Sequence, residues 1–359
     1  MKGTEMAATA DYRLGPHTFP RGWFMVAASS EVTSVPLAVR YFGQDLVLYR
    51  GHSGRAYLID AYCPHMGTHL AKNTTSYVVR DNTRIEGDSI RCPYHAWRFG
   101  PDGRCDHIPY YDGKIPTAAR LKTWPLEERY GCLYTWHDPE GGEPDFALPA
   151  IPEWDDPSYV HWEIDQLGML PCHPIEVIDN MADVAHLGPT HGGPPEYFHN
   201  EIEGVVVRQR QGAGHRTLAV GVMLETDTFY TGPGVLLSYF NQGVAIMYIA
   251  HTPVDDGSIK VWHGMLSKAP NTPPTGADIA NARAAQAGSL AAFAQDFEIW
   301  RNKRPCIEPL VVLTDGPYAK VRMWYRQFYN ERAKAAEFQA RAAGFHAVKG
   351  MPTHNPRAA

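Results

Sequence analysis

Short apolar runs broken by turn residues fill the first third of the chain. Residues 45–49 and 56–59 are dense in Leu, Val, Ile and Tyr, and turn signals stand at 51–54 and at Asp102-Gly103, so the spacing predicts short strands of a small all-β unit over about 23–136. A proline- and glycine-rich stretch, 138–144 and on to Pro157, favours turns over regular structure and marks a boundary. Beyond it, apolar segments at 201–210, 217–225, 235–240, 244–251 and 259–266 follow one another with turns between, notably Asp255-Asp-Gly-Ser258, and predict an antiparallel sheet. Helical patterns at 175–187 and 278–301 bracket that sheet, and a third at 330–343 closes the chain. The expected fold is α+β: an N-terminal all-β domain at 20–138, then a sheet with flanking helices at 139–345, with flexible tails beyond both.

Composition narrows the class. At 359 residues and 44 % apolar, with 20 % charged residues, the chain can bury two cores. A net charge of −6 without a basic block argues against nucleic acid or an anionic membrane surface, and leaves a small molecule as partner. The first dozen residues lack the apolar core of a signal peptide. Runs such as 244–250 fall far short of the roughly 20 residues a membrane-spanning helix needs. No transmembrane segment and a cytoplasmic location are therefore expected. Six cysteines, at 63, 92, 105, 132, 172 and 306, argue for reduced or metal-bound thiols rather than a disulfide framework.

Two of those cysteines have company. Cys63-Pro64-His65 and Cys92-Pro93-Tyr94-His95 each offer one thiolate and one imidazole. A Cys2His2 set can hold zinc or a two-iron cluster. A zinc finger pairs its cysteines together and its histidines together, whereas here each loop gives one of each, the arrangement for two irons held from two loops. Pro64, Gly67, Pro93, Ala96 and Trp97 supply tight turns around the pairs. His52, His69 and His107 read as ordinary loop residues.

A second constellation lies at 180–191. Asn180, Asp183 and His186 recur at i, i+3 and i+6, on one face of the expected helix; Gly188 and Pro189 would stop it and leave His191 on the following turn, free to meet His186 at one metal. Two histidines and one carboxylate form the facial triad of non-haem iron, so an acid is needed from elsewhere. In the late helix Leu290, Phe293, Phe297 and Trp300 form an apolar stripe with Asp296 beside it, while Glu298 points away. A carboxylate turned toward a core is costly unless paired or metal-bound. Asp296 is thus either the ligand or half of a surface ion pair.

The words Cys-Pro-His-Met-Gly-Thr-His-Leu and Arg-Cys-Pro-Tyr-His-Ala-Trp-Arg-Phe-Gly-Pro-Asp-Gly resemble the Rieske domains of ring-hydroxylating oxygenases. Asp183-x-x-His186-x4-His191 matches the mononuclear-iron motif of the same enzymes. The segment 295–303, and Asp315-Gly-Pro317 leading into 322–329, resemble the oxygenase component of bacterial 3-ketosteroid 9α-hydroxylase; the likeness spans about 20–330. It implies a Rieske domain followed by a helix-grip-like catalytic domain. It implies a [2Fe–2S] cluster on Cys63, His65, Cys92 and His95, and a mononuclear Fe(II) on His186, His191 and Asp296. Asp183, with Asn180 on its face, becomes a catalytic residue that links a cluster histidine of a neighbouring subunit to an iron-bound histidine, in a homotrimer. The implied reaction is O2-dependent hydroxylation of a steroid-like hydrophobic substrate. No Gly-x-Gly-x-x-Gly is present and the other cysteines are scattered, so electrons must come from a separate NADH-dependent flavin and iron–sulfur reductase. The spacing of 26 residues between His65 and Cys92 is longer than is usual for Rieske domains, and the excess near 73–84 reads as a surface hairpin. A Rieske O- or N-demethylase, a sterol desaturase, a Rieske electron carrier and a zinc-stabilised binding protein are the competing readings.

Overall fold

The computed structural model describes residues 6–214 and 222–356. The chain divides into two compact units, Met25–His137 and Met1–Phe24 with Asp138–Ala359.

The smaller unit is built of short antiparallel strands. Leu37–Tyr41, Gln44–Arg50, Ala56–Asp60 and Thr123–Trp124 form one sheet, and Ile85–Glu86, Ser89–Arg91, Arg98–Phe99 and Cys105–His107 another. Gly22–Ala28, Cys132–His137 and Leu126–Arg129 form a third. The first hairpin turns on Phe42 and Gly43, both at positive φ (53° and 70°), as a two-residue turn between twisted strands requires. A phenylalanine there is strained. Its ring stacks at 4.1 Å on His137 and is 2 % exposed, so packing offsets the backbone cost. The core gathers Val47, Tyr49, Ile59, Ile90, Phe99 and Leu121 around Cys63 and Cys92.

The stretch 73–84 between the two cysteine–histidine pairs is not a hairpin. It folds as turns around a one-turn helix, Tyr77–Arg80. Asn73 Oδ1 accepts from the backbone N–H of Thr75 and Ser76, which starts the chain turning. The guanidinium of Arg84 donates to the carbonyls of Ala71 and Asn73 and closes the loop.

The larger unit holds a nine-stranded antiparallel sheet. Its order is Tyr159–Val160, Ser258–Lys268, Ala245–Asp255, Val235–Phe240, Leu224–Thr231, Val206–Ala213, Pro195–Glu203 and Gly344–Ala347, with Asp165–Leu170 also paired to Ser258–Lys268. Gly257, at φ 91°, makes the tight turn between the two longest strands. Of the strand expected at 217–225, residues 217–221 lie outside the described residues; the described strand runs Leu224–Thr231.

The helix Gly276–Asn302 packs on Ser258–Lys268 and starts with a capping box between Thr275 and Asp278. It buries Phe293, Asp296, Phe297 and Trp300, whereas Glu298 is exposed. A further helix, Tyr318–Arg326, inserts Val321, Trp324 and Tyr325 into the core.

Three expectations need correction. The single helix over 175–187 is broken into Pro174–Ile178, a 3-10 turn Asp179–Met181 and, after a gap, Leu187–His191. The carbonyl of Met181, which a continuing helix would use, instead accepts from Asn200 and Gln209 side chains of the sheet at 2.7 and 3.3 Å. Gly316 also passes so close that a Cβ there would meet the Ala182 carbonyl oxygen at 1.8 Å. Gly188 and Pro189 then do not stop a helix but lie in the first turn of a new one, where proline costs no hydrogen bond. Residues 6–19 are not loose either: Tyr12 and Leu14 are buried in the large core. The closing helix is shorter than expected, Ala335–Ala342 after a 3-10 turn.

Two buried imidazoles carry a stability consequence. Burial pushes His173 and His251 down to about 3. Each therefore takes up a proton in the unfolded chain near pH 6.5 but not in the native one. Their contribution to stability is complete above about pH 6.5 and is lost as the pH falls toward 3. Denaturant midpoints should drop steadily from pH 7 to pH 5; a flat profile would contradict the neutral burial.

Candidate metal centres

The two loops that carry the cysteine–histidine pairs are near copies of each other. In the first, Cys63 N–H donates to Thr68 O (2.9 Å) and Gly67 N–H to Cys63 O (2.9 Å). In the second, Cys92 N–H donates to Trp97 O (2.8 Å) and Ala96 N–H to Cys92 O (3.1 Å). The fourth residue after each cysteine, Gly67 or Ala96, stands at positive φ, which closes the knuckle. Each knuckle turns backbone N–H groups onto its own sulfur, from His65 and Met66 toward Cys63 and from Tyr94 and His95 toward Cys92. These donors favour an anionic sulfur.

The two thiols hydrogen-bond each other; the shared proton pushes Cys63 up and holds Cys92 down, to about 6. Both cysteines are buried, while His65 and His95 lie half-buried with ring centroids 4.7 Å apart. Trp97 stacks on His65 at 4.4 Å and fixes its plane. The thiols pair at the inner end and the imidazoles at the outer. Two thiols and two imidazoles, one of each from each of two loops, are the donor set of a sulfide-bridged two-iron cluster, which these residues fit.

The second centre is assembled from two separate pieces of chain. His186 precedes the helix Leu187–His191, and Asp296 comes from the helix Gly276–Asn302. Asp296 Oδ2 lies 3.2 Å from His191 Nε2 and Oδ1 3.8 Å from His186 Nε2. Both histidines are pinned by their other nitrogen. His186 Nδ1 donates to the Asp183 carbonyl at 2.6 Å, and His191 Nδ1 to Gln295 Oε1 at 2.9 Å. Each Nε2 therefore turns a lone pair toward the same carboxylate. Without a cation the arrangement is repulsive, and the Asp296 carboxylate compensates by pushing His191 up to hold a proton. Two imidazoles and one carboxylate suit a borderline divalent ion such as Fe(II).

Asp183 is one residue removed from direct contact. Its Oδ1 lies 3.6 Å from His186 Nδ1 and accepts from His186 N–H at 3.2 Å. Burial opposes its charge, but hydrogen bonds from His186 and Tyr318 prevail and hold its pKa below the usual range. Its side chain is 30 % exposed, unlike that of Asp296 at 10 %. Asn180 lines the metal-facing end of the cavity, and its carbonyl accepts from Gln209 at 3.5 Å.

That cavity, of about 530 Å³, opens from the metal triad between helix and sheet. Leu224, Leu236, Phe240, Met247, Met265 and Phe293 make its walls mostly apolar. Thr228 and Ser238 satisfy each other at 2.6 Å. Gln211 Oε1 and Thr226 Oγ1, on paired strands, face the same space without partners. Size and polarity suit a compact hydrophobic molecule with one or two polar groups.

Reading the sequence missed Gln295, Tyr318 and Gln209. Gln295 adjoins Asp296, and that adjacency was the one available signal; the other two reach the site from distant elements.

Comparison with known proteins supplies the family. Residues 22–125 match the Rieske [2Fe-2S] domain, and residues 135–329 match the 3-ketosteroid 9alpha-hydroxylase C-terminal domain. A probable 3-ketosteroid-9-alpha-monooxygenase oxygenase component of Rhodococcus rhodochrous is 33 % identical over 90 % of this chain and 84 % of its own. The cholesterol 7-desaturase of Caenorhabditis elegans is 30 % identical over 89 % of this chain and 78 % of its own. Among solved structures, Pseudomonas putida CBB5 NdmA with caffeine superposes with a TM-score of 0.68 at 18 % identity, covering 91 % of this chain and 96 % of its own. That likeness speaks for the fold.

Replacing Asp296 by Ala should lower bound iron from about three to about two per chain, while the visible spectrum of the cluster persists. Unchanged iron content would remove Asp296 from the ligand set.

Proposed function

Since the chain belongs to the Rieske oxygenase family of 3-ketosteroid 9α-monooxygenase oxygenase components, we propose that it hydroxylates a steroid-like ketone at an unactivated C–H bond. The overall change is R–H + O2 + 2e⁻ + 2H⁺ → R–OH + H2O, with the electrons drawn from a separate NADH-dependent reductase carrying flavin and an iron–sulfur centre. The observation that carries the reading is the large apolar cavity ending on His186, His191 and Asp296.

Cys63, His65, Cys92 and His95 would hold the [2Fe–2S] cluster, and His186, His191 and Asp296 the iron. Iron in such a triad activates dioxygen, and the cluster relays electrons to it. The protein's own share is positioning. Gln295 and the Asp183 carbonyl fix the two imidazoles. The apolar walls exclude water and orient the substrate, and the unpartnered hydroxyl of Thr226 can donate to a ketone oxygen.

We further propose a head-to-tail homotrimer in which His95 of one subunit meets Asp183 of the next. Exposed Met66, Tyr94 and Tyr110 beside the cluster loops, and exposed Leu310 and Val311 beside the iron site, support it, because such apolar surface is rarely left in water. Light scattering should give three times the mass of the chain, and a monomer would exclude the arrangement. Free cysteines throughout favour the cytoplasm as its location, and no described helix is long and apolar enough to cross a membrane. Recovery of the cluster-bearing chain outside the cytoplasmic fraction would count against this.

The desaturase relative keeps a second outcome open on the same scaffold, removal of two hydrogens from a sterol ring. Turnover of androst-4-ene-3,17-dione with NADH, O2 and a compatible reductase separates the two. The expected product has gained one oxygen atom. A product that has lost two hydrogens would favour desaturation, and one that has lost a methyl carbon as formaldehyde would favour demethylation.

A further inference from the structure

The long helix carries a second polar chain that the metal does not use. Asp165 and His263 sit opposite each other on the paired strands Asp165–Leu170 and Ser258–Lys268. His263 is fully buried, with Nδ1 2.9 Å from Asp165 Oδ2 and Nε2 3.0 Å from Ser289 Oγ. Gln286, three residues before Ser289 on the helix, donates to the same carboxylate oxygen at 2.7 Å and holds it in place. Ser289 lines the cavity, flanked by the small side chains of Ala285 and Ala292. It precedes Asp296 by seven residues, two helical turns or about 10 Å along the axis.

The order serine, histidine, aspartate is that of a hydrolytic triad, but hydrolysis is not what this one builds. Ser289 lies in the middle of a 27-residue helix, where the neighbouring N–H groups are committed to helix bonds and cannot stabilise an oxyanion. The consequence of the chain is direction. A carboxylate only accepts, so Nδ1 of His263 carries the proton and Nε2 the lone pair. Burial pushes the imidazole pKa down against the pull of Asp165, which keeps the ring neutral. The Ser289 proton must then go to Nε2. What the serine turns toward the cavity is its oxygen lone pairs.

We propose that Ser289, its proton committed by the Asp165–His263 pair, is a specificity-determining residue that selects substrates bearing a hydrogen-bond donor, a hydroxyl in place of a ketone, about two helical turns from the metal carboxylate. The inference rests on reading the cavity as the substrate chamber. It adds a polarity that the apolar walls cannot supply. A ketone facing Ser289 meets two sets of lone pairs and loses a hydrogen bond it makes in water, whereas a hydroxyl is satisfied. The ketone of the same molecule can find its donor at Thr226 on the sheet wall.

Dissociation constants, read from tryptophan fluorescence of the intact anaerobic protein, test this with two matched pairs. One pair is androst-4-ene-3,17-dione and its 17β-alcohol; the other is 2-decalone and 2-decalol. Wild type should bind each alcohol on the order of tenfold tighter than its ketone. Ser289→Ala should bring both ratios to about one. His263→Leu removes the acceptor at Nε2 and frees the serine hydroxyl to donate, so its preference should turn toward the ketones. Equal ratios in wild type and Ser289→Ala, an alcohol preference that survives His263→Leu, or failure of both alcohols to bind overturns the proposal. A preference confined to the decalin pair upholds the anchor and removes the steroid reading instead.

Discussion

A carboxylate buried between two imidazoles is the constraint around which the larger unit is arranged. Asp296 faces the Nε2 lone pairs of His186 and His191, an arrangement that is unfavourable unless a cation or a proton sits between them. The surrounding structure exists to hold that geometry. Carbonyl groups that would have continued the helix after Met181 are claimed by Asn200 and Gln209, Gly316 leaves room for the Ala182 carbonyl, and the chain is bent so that both histidines reach the long helix. The local cost is a broken helix. The return is a site with fixed ring orientations before any ion arrives.

The cavity follows from the same helix. Its inner face places small residues, Ala285, Ser289 and Ala292, between the sheet contacts and the metal carboxylate, so space remains where a regular stripe of large side chains would have filled it. The sheet supplies the other wall through alternate residues of each strand, which is why polar atoms appear there in cross-strand pairs: Gln209 opposite Thr228, and Gln211 opposite Thr226. The first pair is satisfied within the protein and the second is not. A molecule in this chamber meets apolar walls, a few oriented polar atoms and, at one end, the triad.

The cluster loops solve a different problem with repetition. Two knuckles of the same hydrogen-bond pattern bring their sulfurs together inside and their imidazoles together near the surface. Backbone donors thereby favour anionic sulfur, while the histidines, half-buried, stand at the outer end. The exposed aromatic and methionine side chains around them fit an end that meets another protein surface.

Residue type and spacing alone marked out Cys63, His65, Cys92 and His95, because both ends of each pair are close in sequence and the chemistry needs that closeness. His186 and His191 were legible for the same reason, and Asp296 through the mismatch of a charge beside an apolar stripe. The all-β first unit and the antiparallel sheet of the second were written in apolar runs and turn residues, which report local geometry. What the sequence could not determine was every decision taken by groups far apart along the chain. The helix over 175–187 has good local periodicity, yet it breaks because side chains from the sheet take its carbonyls. The segment at 73–84 looks β-prone, yet Asn73 and Arg84 fold it into turns. Ser289, His263 and Asp165 carry no common motif; only the pairing of two strands beneath one helix brings them together, because hydrogen bonds between distant residues become visible only once the chain has folded.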